Sequence, residues 1–479
     1  MRGGSTAITA TAPAPGSRTA GGLLARNPAW PITVLLVGYP LWWALGVADF
    51  MWIVLAVPMS ARMLAWRIHS GRPLRVPHGF GIWLAFLLCA IAGAAVLSLT
   101  APGTVPSPVS DRVLSYANRT ATYIGVTVVL LYAGNLSERE LPLRRVAWML
   151  GLVGIYATIG GVAGLLLPHL QWSSPLQLLL PHSVQSSPFV QAATHPGLAQ
   201  VQNVIGSAKG RPKAPFDYTN TWGDCLTLLL PWLIVGWWQA GARRQRTIVA
   251  ATVAVAWVPL LYSLNRAAWV GAALSVVFIA LRVSAGRRRA LIGSLTLALA
   301  VAAIIVLVSP LEGIVAARLA HGKSDNLRRG LSSLAVDDAL ASPVIGYGDT
   351  RKQRGSPRSI AVGPSAKCEL CGEQEVGSNG QLWLLLVCNG ILGAALYVAF
   401  FASGLWHFRR DGTLYGIVGS LVVLLPFLYM FTYDAVPAPL GFTMLAYALL
   451  WRNDMRRGRP RVGPVVRGAG MLSSSHATP

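Results

Sequence analysis

Long apolar runs alternate with short polar segments along most of the chain. About twelve runs approach the ~20 residues that a helix needs to cross a ~30 Å hydrocarbon core. This pattern predicts an all-α polytopic membrane protein with a transmembrane domain over residues 29–451. The predicted spans lie near residues 30–46, 48–61, 79–99, 121–134, 146–167, 222–240, 247–264, 267–282, 290–309, 382–405, 413–433 and 436–451.

The two ends of the chain do not follow this pattern. Residues 1–28 are rich in Gly, Ala, Thr, Pro and Arg, and residues 452–479 are similarly polar and of low complexity. Such segments carry too little apolar surface to fold alone, so we expect two disordered cytoplasmic tails. The run at 30–46 continues into the next run without a small-residue cleavage site, and we expect it to stay in the mature protein.

Two polar segments between the runs are unusually long. They cover residues 168–221 and 310–380, and the second separates the ninth and tenth predicted helices. Connections this long are usually functional or disordered. Within the second, the stretch 325–349 reads "DNLRRGLSSLAVDDALASPVIGYGD", with apolar positions spaced as in an amphipathic helix and a Pro-Gly-rich end. This spacing predicts a surface helix that lies along the membrane. Its apolar positions include Leu331, Leu334 and Val336, and it ends before Pro343, Gly346 and Gly348.

Composition and charge placement support this topology. The chain is 54% hydrophobic and 12% charged, with a net charge of +23. The arginines gather in alternate connections, which is the positive-inside pattern with both termini cytoplasmic. The excess charge therefore indicates topology and attraction to anionic lipid headgroups, and nucleic acid is excluded as a partner. The arginines are Arg62, Arg67, Arg72, Arg75, Arg139, Arg144, Arg145, Arg243, Arg244, Arg246, Arg287, Arg288, Arg289, Arg409 and Arg410.

The five cysteines fall into two groups. Cys89, Cys225 and Cys388 lie in or against apolar runs and should pack as small apolar residues. Cys368 and Cys371 lie in the second outer loop, in "KCELCGE". An oxidising outer face favours a short disulfide there, with free thiols as the second interpretation and zinc as the third.

Three candidate binding residues stand where outer segments meet apolar runs. Arg266 separates two runs in "YSLNRAAWVG", where an arginine either binds an anion such as a diphosphate or snorkels from a helix end. Arg211 precedes a cluster of aromatic residues typical of a membrane interface. Asn220 follows at the helix entrance, where an ordinary helix N-cap is the simpler interpretation.

Four stretches in order resemble the O-antigen ligase and polymerase family of bacterial cell-envelope glycosyltransferases. "PFDYTNTWGDCLTLLLP" is similar to the family's Phe/Asn entrance segment, and "LNRAAWVG" to its Ser-Arg-x-x-Trp turn. "NLRRGLSSLAVDDALASPVIGYG" resembles its outer Arg helix followed by Pro-x-x-Gly-x-Gly. "EVGSNGQLWLLLVCNGILG", residues 375–393, resembles its His-Asn-x9-Gly-x-x-Gly motif. The resemblance covers about residues 211–405.

This resemblance implies a glycosyltransferase C-like membrane enzyme that uses no nucleotide sugar, cofactor or metal. The enzyme would transfer a glycan from a polyprenyl diphosphate carrier to an acceptor hydroxyl of a glycan or glycolipid, at the outer face of the bacterial cytoplasmic membrane. Arg266 and Arg328 match the positions that bind the diphosphate leaving group. Arg329 substitutes for Arg328 if the register shifts by one, and Arg211 is an accessory. Ligase and polymerase share the donor and differ only in the acceptor.

The chain departs from the family at one position, because Asn379 stands in the histidine slot. An amide can donate and accept hydrogen bonds but cannot take up a proton. Three explanations follow: Asn379 orients the acceptor hydroxyl, a carboxylate replaces the histidine, or the chain has lost transferase activity. The carboxylates nearest to the motifs in sequence are Glu375, Glu373 and Asp349.

A transporter or lipid-linked glycan flippase is the alternative hypothesis, because about twelve helices with cytoplasmic ends also suit a carrier. A carrier should show related halves and charged or interrupted spans, and the sequence shows no clear repeat. Acidic residues near the spans are few, with Asp224 at a helix entrance and Asp434 in a short outer turn. The long loop at 310–380 favours the enzyme.

Overall fold

The structure is a computed structural model that describes residues 27–185, 188–203, 208–238, 242–283, 323–354 and 375–458. The predicted span at 290–309, the two predicted tails apart from a few residues, and the pair Cys368 and Cys371 lie outside these residues.

The described chain is mainly helical. Its first ten helices are α1 (Trp30–Val37), α2 (Tyr39–Ala44), α3 (Ala48–Val54), α4 (Ala56–His69), α5 (Phe80–Ala92), α6 (Ser110–Asn135), α7 (Leu143–Leu166), α8 (Pro175–Leu179), α9 (His182–Gln185) and α10 (Pro188–Thr194). The later helices are α11 (Thr219–Trp237), α12 (Arg243–Tyr262), α13 (Arg266–Val283), α14 (Lys323–Ala341), α15 (Gln381–Phe408), α16 (Leu414–Tyr429) and α17 (Ala438–Arg457). Two small antiparallel hairpins pair β1 (Ala199–Asn203) with β2 (Ala208–Pro212) and β3 (Arg351–Lys352) with β4 (Glu375–Val376).

The apolar runs within the described residues fall on helices. Four helical stretches are long and apolar enough to cross a membrane: 48–69, 143–166, 243–262 and 381–408. Phe80–Val96 and Leu414–Tyr429 are shorter apolar helices. Large apolar side chains such as Leu64 and Ile159 remain exposed on these helices, as a lipid-facing surface requires.

Close helix packing in the core depends on small residues. A Cβ added at Gly151 of α7 would lie 2.7 Å from the Cα of Leu233 of α11, so the two backbones touch there. The indole of Trp222 in α11 donates to the carbonyl of Ala157 in α7 at 2.9 Å. Small residues at helix interfaces allow this approach in membrane proteins, where dispersion and hydrogen bonds drive helix association.

The predicted cytoplasmic segments meet at one end of the helices. Connections after α4, α6 and α15 come together there with the ends of α13 and α17. The contacts are Arg72 with Glu140 (3.2 Å), Arg452 with Glu138 (3.2 Å), Arg457 with Asp411 (3.0 Å) and Arg282 with the carbonyl of Arg409 (2.7 Å).

The predicted outer segments meet at the other end. The backbone N–H of Val105 donates to the backbone carbonyl of Lys352 at 2.9 Å, so the α5–α6 connection pairs with the segment after α14. Arg119 of α6 forms a buried ion pair with Asp349 at 2.8 Å. Helix α6 reaches from this ion pair to the basic end at Asn135, roughly 24 Å for sixteen residues. The structure therefore separates the two predicted sets of connections.

Helix α15 is broken at Gly390, whose φ of 67° and ψ of −175° are not helical. The carbonyls of Val387 and Cys388 accept instead from the backbone of Tyr347 and Gly348, at 2.8 and 2.9 Å. A Cβ added at Gly390 would lie 2.7 Å from the backbone of Pro343. The Pro-x-x-Gly-x-Gly segment after α14 therefore docks on the glycine motif of α15.

Helical spacing would place Gly390, Gly393 and Ala394 on one small-residue face packed against a neighbouring helix, but Gly390 meets the backbone of Pro343 instead. Gly393 does face a neighbouring helix, because a Cβ there would lie 3.2 Å from the sulfur of Cys89 in α5. The thiols of Cys89, Cys225 and Cys388 are free and buried, as predicted.

Helix α14 forms as predicted and ends before Pro343. Its buried face includes Leu331 and packs on Val376 and Val387, so part of it covers the start of α15. Val336, an expected apolar-face residue, is 40% exposed, which corrects that assignment. Asp338 occupies the buried face instead.

Candidate functional site at the outer end

Arg328 lies in the first half of α14 and is held in place by the turn between α16 and α17. Its Nη1 donates to the carbonyl of Thr432 at 2.8 Å, and its guanidinium lies 5.6 Å from the ring centroid of Tyr433. The next residue, Arg329, is exposed. Of the two arginines, Arg328 is therefore the one positioned against the turn between α16 and α17.

Asn379 contacts the same helix. Its Nδ2 donates to Ser332 Oγ at 2.8 Å and to the carbonyl of Arg328 at 3.3 Å. Its Oδ1 is buried without a hydrogen-bond partner among the described residues. A buried amide oxygen without a donor costs free energy, and a hydrogen bond from a bound hydroxyl that reaches it would remove that cost.

Arg211 and Asn220 form a second group beside the first. Arg211 donates from Nε to the carbonyl of Ser263 at 2.6 Å and from Nη2 to Asn220 Oδ1 at 3.2 Å. Helix α11 begins one residue earlier, at Thr219, with Tyr218 at the cap position and no side-chain cap bond. The N-cap interpretation of Asn220 is therefore wrong, because its side chain binds Arg211 instead.

Asn265 and Tyr433 join the two groups. Asn265 Nδ2 lies 3.4 Å from the carbonyl of Asn220, and the Tyr433 hydroxyl donates to Asn265 Oδ1 at 2.7 Å. Tyr433 also lies under Arg328. A continuous set of contacts thus runs from Arg211 through these residues to Arg328.

Arg266 is the first residue of α13, directly after Asn265, and is half-buried. The turn before it contains Leu264 in the left-handed region, with φ of 56°, so α12 and α13 meet at a sharp corner. Asn265 stabilises this corner by accepting the N–H of Ala268 at 2.9 Å. The corner places Arg266 at the end of the molecule that holds Arg328.

The carboxyl groups of this end differ in their surroundings. Asp349 pairs with Arg119 and accepts a hydrogen bond from Ser115. Glu375 is exposed and accepts a hydrogen bond from Thr350 Oγ1 at 2.7 Å. Asp349 thus links α6 to the segment after α14 through its ion pair and hydrogen bond. The carboxyl group of Glu375 remains accessible to solvent. Glu373 lies outside the described residues.

Asp434 lies in the turn directly after Tyr433, and its Oδ1 is buried without a hydrogen-bond partner among the described residues. Burial raises the pKa of Asp434 to about 7, the charges of Arg119 and Arg328 act in the opposite direction, and Glu375 adds to the rise. A carboxyl group with a pKa near neutrality can exchange a proton under working conditions. Asp434 is therefore a carboxyl group suited to proton transfer beside Arg328.

Sequence reasoning missed Tyr433, Asn265 and Asp434 as site residues. Asn265 stands beside Arg266 in the motif, and the run "TYD" at 432–434 is a polar turn between two apolar helices, which was a usable signal. A polar triplet at that depth is costly unless its groups find partners.

No model of a known protein family matches this chain, and no curated protein matches it. The resemblance to O-antigen ligases and polymerases therefore rests on the four motif stretches alone.

Proposed function

We propose that the protein transfers a glycan from a polyprenyl diphosphate carrier to an acceptor hydroxyl, as an O-antigen ligase or polymerase does. The observation that carries this proposal is the meeting of Arg328 and Asn379, because two separate motif segments converge on one site through them. Both belong to the stretches on which the family resemblance rests. The proposal places the enzyme in the bacterial cytoplasmic membrane, with about twelve spans of ~20 residues and both termini cytoplasmic.

The first requirement of this chemistry is stabilisation of the leaving group. When the bond between the sugar carbon and the diphosphate oxygen breaks, negative charge grows on the diphosphate. Fixed guanidinium groups stabilise that charge more in the transition state than in the ground state. Arg328 is fixed by Thr432 and Tyr433, and we assign it this role together with Arg266. Arg211, fixed by Ser263 and Asn220, is the accessory cation.

The second requirement is a place for the acceptor. The free Oδ1 of Asn379 accepts the hydrogen bond of the acceptor hydroxyl and aims its oxygen at the sugar carbon. A new carbon–oxygen bond then forms as the bond to the diphosphate breaks. As the new bond forms, the hydroxyl hydrogen leaves its bond with Asn379 Oδ1 and passes to Asp434, or to the departing diphosphate, because asparagine cannot hold a proton.

The proposal is tested with the full-length protein in proteoliposomes, supplied with a polyprenyl diphosphate-linked glycan and an acceptor glycolipid. We expect time-dependent transfer of glycan to the acceptor and release of the polyprenyl diphosphate, and gel mobility of the acceptor measures it. Flip of the labelled donor across the bilayer without any transfer would show a flippase instead.

A further inference from the structure

The basic end of the molecule contains a cavity far from the candidate site. It has a volume of about 260 Å³ and lies between the connection after α4, the end of α6 and the end of α17. We name it the basic cavity. It is lined by Arg72, Pro73, Arg75, Gly134, Asn135, Leu136, Ser137, Glu138, Arg452, Met455 and Arg456.

Positive charge exceeds negative charge in this cavity. Four of its lining residues are arginines, and Glu138 is its one acidic lining residue. Glu138 is shared, because Arg452 lies 3.2 Å and Arg456 3.6 Å from its carboxylate. Arg72 has a separate partner, Glu140, at 3.2 Å. Four guanidinium groups therefore face two carboxylates, and a charge of about +2 is left for an anion to balance.

One donor on a residue of the cavity wall is buried without a partner among the described residues. Arg452 is 4% exposed, and its Nη1 makes no hydrogen bond among the described residues, while its Nη2 binds Glu138 and the carbonyl of Leu141. An unpaired donor on a buried cation is costly, and a bound anion removes that cost.

The cavity wall is built in a fixed shape. Asn135 accepts the N–H of Arg75 at 2.9 Å and donates to its carbonyl at 2.9 Å, so the backbone of Arg75 is held at the rim. The guanidinium of Arg72 lies 4.8 Å from the ring centroid of Trp66. The guanidinium of Arg72 and the backbone of Arg75 are therefore positioned before any ligand arrives, which lowers the entropy cost of binding.

We infer that the basic cavity binds a phosphate group, either on the headgroup of an anionic phospholipid or on a soluble phosphate. Guanidinium groups form paired hydrogen bonds with phosphate oxygens, and basic pockets between spanning helices on the cytoplasmic side are known to bind anionic headgroups. The cavity lies among the segments that the charge pattern predicts to be cytoplasmic. This inference does not depend on the proposed glycan transfer.

The test uses the purified full-length protein in a non-ionic detergent. One arm adds phosphatidylglycerol, with diacylglycerol as the reference lipid that has no phosphate, and measures bound lipid by native mass spectrometry. The other arm adds inorganic phosphate, with chloride at equal ionic strength as its reference, and measures thermal stability. Binding in the first arm alone identifies a lipid headgroup, and stabilisation in the second arm identifies a soluble phosphate.

The variants are Arg75→Gln and Arg456→Gln, singly and together, because both side chains are exposed and their loss should leave the fold intact. We expect the double variant to weaken binding by about tenfold or more. Arg145→Gln, exposed in the first turn of α7 and outside the cavity, is the matched control and should bind as the wild type does. Absence of binding in both arms, or an equal loss in the control, would overturn the inference.

Discussion

The side-chain amide of Asn379 donates to the backbone carbonyl of Arg328 at 3.3 Å, so the residue in the histidine slot touches the helix that carries the leading arginine. The two residues are far apart in sequence and belong to different elements. Under the proposed function, their contact brings the cation for the leaving group and the group that orients the acceptor hydroxyl into one small region.

Arg328→Ala should lower glycan transfer by roughly 10²–10³-fold, the size expected when one fixed donor to a developing anion is removed. Arg329→Ala should have a much smaller effect, because that side chain is exposed. Initial rates of transfer in proteoliposomes, at equal amounts of inserted protein, make the comparison. A greater loss in the Arg329 variant would shift the assignment by one residue.

Asn379→Ala should lower the maximal rate, since the acceptor hydroxyl loses the oxygen that orients it. Asn379→His should keep or raise the rate, because imidazole can both orient the hydroxyl and take up its proton. Rates at saturating donor and varied acceptor distinguish orientation from donor binding. Wild-type behaviour of both variants would reduce Asn379 to a structural contact with Ser332.

The pH dependence of glycan transfer should show whether Asp434 accepts the proton of the acceptor hydroxyl. A carboxyl group accepts a proton only when ionised, and the pKa of Asp434 is raised to about 7 by burial. The transfer rate of the wild type should therefore rise as the pH increases through about 7. The rate of Asp434→Asn should be lower and nearly independent of pH over the same range. A rate profile from pH 5.5 to 8.5 checks this. An unchanged profile in the variant would assign the proton to the diphosphate.

Much of the helical layout could be predicted from apolar runs alone, since the spans within the described residues fall on helices. The break in α15 could not be predicted in this way. Gly390 interrupts α15, and the loop after α14 supplies the backbone donors for the carbonyls of Val387 and Cys388 there. Likewise, the nearby aromatic residues made Arg211 a candidate and the family resemblance made Arg328 one. Which polar turns meet depends on helix packing, which one sequence does not display.

Asp338 should make stability fall with increasing pH. Both of its oxygens are buried without hydrogen-bond partners among the described residues, and burial raises its pKa to about 7 against the charge of Arg351. The folded state then binds more protons than the unfolded chain between about pH 4 and 7, so stability decreases as pH rises through that window. Asp338→Asn should remove this dependence, and melting temperatures at pH 5 and pH 8 measure it. Equal slopes in both proteins would contradict the assignment.

Gly390→Ala should destabilise the protein, by roughly 1–3 kcal/mol or more. The φ of 67° is unfavourable for alanine, and the added Cβ would lie 2.7 Å from the backbone of Pro343. Gly412→Ala is the matched control, because a Cβ there meets nothing within 4 Å. Thermal unfolding in detergent compares the two variants. Similar melting temperatures would mean that the break in α15 does not require glycine.

The broken helix α15 also limits how the site can open. The carbonyls of Val387 and Cys388 lie roughly 10 Å along the helix from its first residue, where water is scarce, and the loop after α14 supplies their donors. Lifting that loop would leave both carbonyls unpaired, at a cost of several kcal/mol each. The loop after α14 is therefore held against α15 by these hydrogen bonds. Under the proposed function, entry of the lipid-linked donor from the bilayer, between helices, would leave these hydrogen bonds intact.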